Sequence, residues 1–317
     1  MRKIFIKMLP LIVLSLLSIA LFLFHDLNGS FDYALPRRAM KVLAMILTGV
    51  AIAYATVIFQ TITHNRILTP SIMGLDSLYI LLQTLFIFFL GSTHFTVINQ
   101  QVNFVLSVST MVVFAFLLYR LLFKSNSQSI YFLLLIGIIL GTFFSSISLF
   151  LQVLIDPNEF LRVQDKMFAS FNNVNNDLIW WALAIIVLVI IYGWRYMKEL
   201  DVLALGRDTA INLGIEYDAL VKKMLIISAV LIAVSTALVG PITFFGLIVA
   251  NLAYQFFATY KHSILITGAA LFSVISLVGG QWIVERLFTF STTLSVIINF
   301  VGGIYFIYLL LKESNTT

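Results

Sequence analysis

The stretch WWALAIIVLVIIYGWRYMKELDVLALGRDTAINLGI, residues 180–215, changes character halfway along. From Trp180 to Tyr192 every side chain is apolar or aromatic. No alternation of polarity marks a half-solvated strand, so the run suits a helix surrounded by lipid. From Arg195 onward charges and hydroxyls return, interleaved with small apolar residues and punctuated by Gly206 and Gly214. The first half implies an all-α membrane protein, and the second needs a reason to exist in one.

The rest of the chain repeats the first half. Hydrophobic residues make up 61% of the 317, charged residues 10%, and the mean hydropathy is +1.05; a soluble domain carries about 25% charged residues. Spans of roughly 20 apolar residues cross a bilayer core of about 30 Å. About ten candidates are expected, near 8–24, 40–60, 74–90, 102–122, 130–155, 178–194, 223–240, 241–258, 263–284 and 294–311. They are solid blocks rather than short alternating segments, which excludes a β-barrel. The first follows Arg2, Lys3 and Lys7, and no A-x-A-like cleavage site follows it in LFLFHDLNGS, so it is expected to be retained. Cysteine is absent.

An even number of spans puts both termini on one side. With the N-terminus inside, 13 of the 19 basic residues fall on the cytoplasmic side, among them Arg66, Arg120, Lys124, Arg195, Lys222 and Lys261. Arg37, Arg38, Lys41, Arg162, Lys166 and Arg286 fall outside. The positive-inside bias therefore predicts cytoplasmic termini. It also accounts for the net charge of +5 without a nucleic-acid partner. The chain reads as one transmembrane domain, 1–317, with two polar connections. The outer one, 156–177, is expected to hold a short helix around Phe160 to Phe168. The cytoplasmic one, about 195–222, lies in a segment Arg195–Lys223 that carries five of the fourteen acids: Glu199, Asp201, Asp208, Glu216 and Asp218. Glycine accepts the left-handed backbone that ends a helix. Arg207 to Leu213 is thus expected to form about two turns with Ala210 and Leu213 on one face. That face suits a protein partner, and a merely solvated connector reads equally well from the spacing.

Several chemistries are missing. His25, His64, His94 and His262 sit in or near separate loops without metal-ligand spacing and read as interfacial polar residues. No aspartate pair for magnesium and diphosphate appears, and no cofactor is implied. There is no G-x-x-x-x-G-K-[ST] phosphate loop, so a pump built on this chain borrows its ATPase. Ion-coupled carriers keep ionisable groups inside the bilayer, whereas Asp76 and Glu285 read as lying near interfaces. The deep polar positions are Gln60, Asn251, Gln255 and Asn299. Such amides either bridge helices or line a pathway, and Gln60, Asn251 and Asn299 are the pathway candidates. Gly137 and Gly141 in GIILG allow close helix approach, expected to be internal packing rather than dimerisation.

Three stretches together resemble the FecCD family, the permease subunits of bacterial ABC importers for iron-siderophores, haem and cobalamin. LALGRDTAINLGI is similar to that family's L-G-x-x-x-A-x-x-L-G at Leu205, Gly206, Ala210, Leu213 and Gly214. GPITFFGLIVANLAYQ resembles G-x-I-x-F-x-G-L-x-x-P-H at Gly240, Ile242, Phe244, Gly246 and Leu247. The stretch 34–75 is similar to L-P-R, a glycine- and alanine-rich helix and N-P-L-A-x-P-x-x-L-G, matching at Leu35, Pro36, Arg37, Gly49, Gln60, Asn65, Leu68, Pro70 and Gly74. The likeness covers about residues 35–312. It departs where Ala250 and Asn251 replace proline and histidine, where N-P-L-A has become NRIL, and where the last helix lacks a proline.

The resemblance implies a type II ABC importer permease fold of ten helices in the bacterial cell membrane. It implies a second permease subunit, copy or relative, two cytoplasmic ATPase subunits and an extracytoplasmic substrate-binding protein. Leu205, Gly206, Arg207, Asp208, Thr209, Ala210, Leu213, Gly214 and Ile215 would form the ATPase-coupling segment, with Ala210 and Leu213 filling the contact. Arg37 and Arg286, with Arg38 as a substitute for a family arginine preceding L-P-R, would dock the binding protein. Exposed arginines of this kind pair with carboxylates or snorkel to headgroups. The expected function is import of an iron-siderophore complex without enzymatic activity of the chain's own. Haem or cobalamin as cargo, a stand-alone secondary carrier and a membrane enzyme remain the alternatives, the last lacking any reactive cluster.

Overall fold

The computed structural model of the chain describes residues 2–25, 31–91, 94, 97, 99–123, 130–172, 174–287 and 292–314. Lys124, counted in the charge bias, and residues 26–30 of the expected uncleaved junction lie outside them. The described elements are helical. They are α1 (Arg2–Phe24), α2 (Phe31–Thr63), a 3-10 helix (Pro70–Met73), α3 (Leu75–Leu90), α4 (Gln100–Phe123), α5 (Ile130–Leu154) and α6 (Pro157–Met167). Then follow α7 (Asn176–Trp194), α8 (Met197–Leu203), α9 (Arg207–Asn212), α10 (Tyr217–Val239), α11 (Phe245–Phe257), α12 (His262–Leu287) and α13 (Leu294–Ser314).

Eight of these helices are long and apolar enough to cross a membrane. Burial sorts them. In α2, 83% of the most apolar window is buried and in α10 72%, against 17% in α1 and 22% in α13. The centre is therefore α2 packed on α10 and α12. Lipid offers helices no hydrophobic incentive to associate, so close contact has to come from small side chains. Gly49, Ala51, Ala53 and Ala55 of α2 and Ser228, Ala229 and Ala233 of α10 supply it, all fully or nearly buried. The rim helices instead expose large apolar residues such as Leu149, Phe150, Leu188 and Phe300.

Two expected spans are shorter. The 16 residues of α3 and the 13 of α11 reach about 24 and 20 Å at 1.5 Å per residue, less than the hydrocarbon core. Each begins inside the bundle. After α2 the chain turns back through buried Ile67, Thr69, Pro70 and Met73. Gly74, at φ +82°, then meets Gly141 near the middle of α5; a Cβ on Gly74 would lie 2.8 Å from the Gly141 Cα, and one on Gly137 would lie 2.8 Å from the Met73 Cα. The GIILG glycines thus pack internally. Irregular backbone at this depth is tolerable because protein covers it.

Asp76, expected near an interface, follows directly and is buried at 7% exposure. Its carboxylate accepts from Thr236 Oγ1 at 3.1 Å and Thr243 Oγ1 at 3.5 Å. These bonds tie the first turn of α3 to the elbow between α10 and α11. The reason for the misplacement is that α3 starts halfway up the bundle, a fact that hydropathy does not carry.

Boundaries moved elsewhere too. α2 starts at Phe31 rather than near 40, with Pro36 in its second turn, where the ring removes one helical hydrogen bond. The 156–177 connection holds α6, opened by Asp156, whose carboxylate accepts from the Asn158 amide at 2.8 Å, and by Pro157 in the first turn. The segment from Arg195 contains two short helices, α8 and α9, where one was expected.

Candidate coupling and docking surfaces

At one end of the bundle, α8 and α9 form a hairpin. Leu200 and Leu203 of α8 are fully buried against the helices above. Gly206 (φ +103°) and Gly214 (φ +84°) make the turns before and after α9, as their positions suggested. Ala210 is 0% exposed, whereas Leu205, Ile211 and Leu213 are 62%, 48% and 61% exposed. The expected shared face of Ala210 and Leu213 is therefore corrected. Ala210 faces the protein, and Leu213, which caps the helix after its last turn, faces away. Ile211, not singled out in the sequence, joins Leu205 and Leu213 on the outward side. Arg207, Asp208 and Thr209 are exposed around them and Ile215 is half-buried. Arg207 reaches Asp218 at 3.4 Å and lies 5.5 Å from the Tyr217 ring centre, bracing α9 against the start of α10.

Above the hairpin is a set of hydrogen bonds. Asp201 of α8 takes two donors from the first residue of α12 on one oxygen: the His262 backbone amide at 2.7 Å and ring Nδ1 at 2.7 Å. The first amides of a helix have no intrahelical acceptor, so Asp201 caps α12 from another helix. His262, expected as an interfacial polar residue, is buried, and its Nε2 lies 2.8 Å from Thr61 Oγ1 of α2. The Val57 carbonyl is also 2.8 Å from the Thr61 hydroxyl, whose single hydrogen is shared between that carbonyl and the ring nitrogen.

Two of the three pathway candidates meet on one acceptor. Gln60 Nε2 and Asn251 Nδ2 donate to the Arg66 carbonyl at 2.7 and 2.9 Å, and the Arg66 guanidinium lies over the Tyr254 ring at 4.6 Å. They join α2 and α11 through the re-entrant loop. Asn299, on α13, is elsewhere, and its Oδ1 has no hydrogen-bond partner among the described residues. A cavity of about 890 Å³ opens beside Gln60, Thr61, Asp201, Tyr254 and His262. Lys7 of α1 donates to the Phe256 carbonyl at 2.6 Å, so the N-terminal part of α1 lies at this same end.

The opposite end carries the candidate docking arginines. Arg37 is exposed and stacks on Tyr33 at 4.1 Å. Arg38 is half-buried, and its Nη1 donates to the carbonyls of Phe22, Leu23 and His25 at 3.3, 3.3 and 2.7 Å. It holds the last turn of α1, where carbonyls lack partners and a cation is favoured. Both line a cavity of about 970 Å³ with Lys41, Asn172 and Asp177. Lys41 pairs with Glu285 at 3.4 Å, and Arg286 follows it, exposed, in the last turn of α12. Arg38→Ala is expected to cost about 1–2 kcal/mol by leaving charged hydrogen bonds unmade. Thermal unfolding in detergent checks this: the variant melts lower, and Arg37→Ala melts as wild type.

Comparison with known proteins places these surfaces in context. The FecCD transport family model matches residues 6–312. The petrobactin import system permease protein YclO of Bacillus subtilis (strain 168) is 61% identical over 310 residues, 98% of each chain. FatC of Bacillus anthracis, also a petrobactin import system permease protein, is 34% identical over 98% of this chain and 90% of its own. YclN, a second petrobactin import system permease protein of B. subtilis (strain 168), is 22% identical over 87% and 85%. The fold matches an inward-facing metal-chelate type ABC transporter at TM-score 0.82 and 22% identity, covering 96% of this chain and 98% of that one. With the family model matched over residues 6–312 and 61% identity to YclO along nearly the whole length, the chain belongs to the FecCD transport family.

Proposed function

We propose that this chain is the permease subunit of an ATP-driven importer that carries an iron-siderophore complex of the petrobactin class across the cell membrane. The observation that carries the reading is the 61% identity to YclO over 98% of both chains. Two separate ATPase subunits supply the energy, one of them seated against Leu205, Ile211 and Leu213 of this chain. The α9 end then faces the cytoplasm together with both termini. The second permease is a relative rather than a copy: B. subtilis (strain 168) has two petrobactin import system permease proteins, YclO and YclN, and this chain is far more similar to the first, 61% against 22% identical.

A substrate-binding protein docks on the opposite end. Arg37 and Arg286 are among the exposed cations there, with Arg162 and Lys166, and as arginines they suit carboxylate pairs, whereas Arg38 is committed to α1. Arg37→Glu with Arg286→Glu replaces two attractions by two repulsions. Affinity of the binding protein for the reconstituted complex is expected to fall at least tenfold and to lose part of its salt dependence. Unchanged affinity returns both arginines to the lipid headgroups.

The function itself is tested in vesicles holding this chain, its related permease and the ATPase, supplied with binding protein and iron-loaded petrobactin. ATP-dependent accumulation is expected. Accumulation by this chain alone would make it a secondary carrier, and preference for haem or cobalamin would reassign the cargo.

A further inference from the structure

We infer that Asp201 and His262 form the joint through which movement of the α8–α9 hairpin enters the membrane helices. The inference rests on the reading of α9 as the ATPase contact. Leu200 and Leu203 also hold α8 to the bundle, but apolar contacts have no preferred direction and permit sliding. The two bonds that Asp201 makes to one residue are directional, both 2.7 Å long. A displacement of α8 by about 1 Å takes both beyond hydrogen-bond distance, so small excursions carry the start of α12 with them. Because the carboxylate oxygen accepts both hydrogens, ring Nδ1 bears one of them.

The joint continues inward. Nε2 of His262 reaches Thr61 of α2 at 2.8 Å. One residue earlier on α2, Gln60 grips the Arg66 carbonyl that Asn251 of α11 also grips. Two sets of hydrogen bonds, joined by the Gln60–Thr61 peptide link in α2, thus run from the hairpin through α12 and α2 to the re-entrant loop and α11. Pushing on α9 moves those elements together, and α11 is one of the two helices that begin inside the bundle. Asp201 and His262 are positioning residues in this scheme and touch neither ATPase nor cargo. A shared contiguous network becomes a coupling path only when breaking it uncouples the ends.

The test uses the complete complex with its ATPase and related permease in vesicles. Uptake of iron-loaded petrobactin and ATP hydrolysis are measured on the same preparation for Asp201→Ala, His262→Phe, Asp201→Asn and, as the reference for α9, Leu213→Glu. Asp201→Ala and His262→Phe are expected to lower uptake about tenfold while hydrolysis stays within twofold. Asp201→Asn keeps an oxygen that accepts both donors and is expected to restore at least half of the uptake. His262→Phe keeps the ring volume and so separates the lost bond from lost packing. Full uptake in Asp201→Ala beside a dead Leu213→Glu overturns the joint and leaves the α9 contact standing. Full uptake in all four removes both. A parallel loss of uptake and hydrolysis, or failure of Asp201→Asn to recover, reduces the pair to an ordinary structural contact.

Discussion

A complex carrying Ile211→Glu and Leu213→Glu is expected to insert and assemble its membrane half normally yet lose ATP-driven uptake at least 100-fold. Both side chains are large, apolar and turned away from the protein, so acidic replacements cost little in the isolated permease. Seated against an ATPase, each carboxylate would lose its water without gaining a partner, a penalty of roughly 2 kcal/mol apiece. Two such penalties multiply to a factor of about 10³ in the contact. Pull-down of the ATPase and vesicle uptake check this together. Retained ATPase with full uptake would show that the exposed face of α9 carries no load. Ala210 behaves oppositely: it is fully buried, so enlarging it disturbs the permease rather than the contact.

The second large effect is in the core. Gly141→Leu drives a four-carbon side chain into the Gly74 backbone, where even a single Cβ on Gly141 would lie 3.0 Å from the Gly74 Cα. Neither side can give way, because Gly74 is itself backbone at φ +82° and must keep that conformation to aim Asp76. Overpacking of this kind costs about 3 kcal/mol where nothing yields. The variant is expected to lose most of its folded yield on size-exclusion in detergent. A monodisperse peak at wild-type height would mean that the loop is free to move.

The helical class and the approximate place of every span were legible because lipid demands long unbroken apolar runs, and this chain has them. The starts of α3 and α11 were not. Leu75–Leu90 and Phe245–Phe257 are as apolar as their neighbours, and apolarity records neither depth nor the protein cover above Pro70 or Gly240. The coupling turn was legible from Gly206 and Gly214, whose positive φ angles follow from the absent Cβ. Which way Ala210 and Leu213 point was not, since the helix ends between them and the three-residue spacing no longer fixes a face. Asp201 and His262 lie 61 residues apart. Nothing local joins them, although an acid and a histidine flanking oily runs at matching ends are a signal worth pairing.

The elbows before α3 and α11 also bear on how the chain gets into the membrane at all. A 13-residue helix preceded by bare peptide groups is a poor passenger for an insertion machinery that releases segments singly into lipid, because each unmatched amide or carbonyl there costs several kcal/mol. Residues 240–257 therefore have to wait for neighbours already delivered, or arrive in company with them. Biogenesis of this subunit is thus a matter of grouped release, and its most vulnerable moment comes before the last three helices have left the translocation channel.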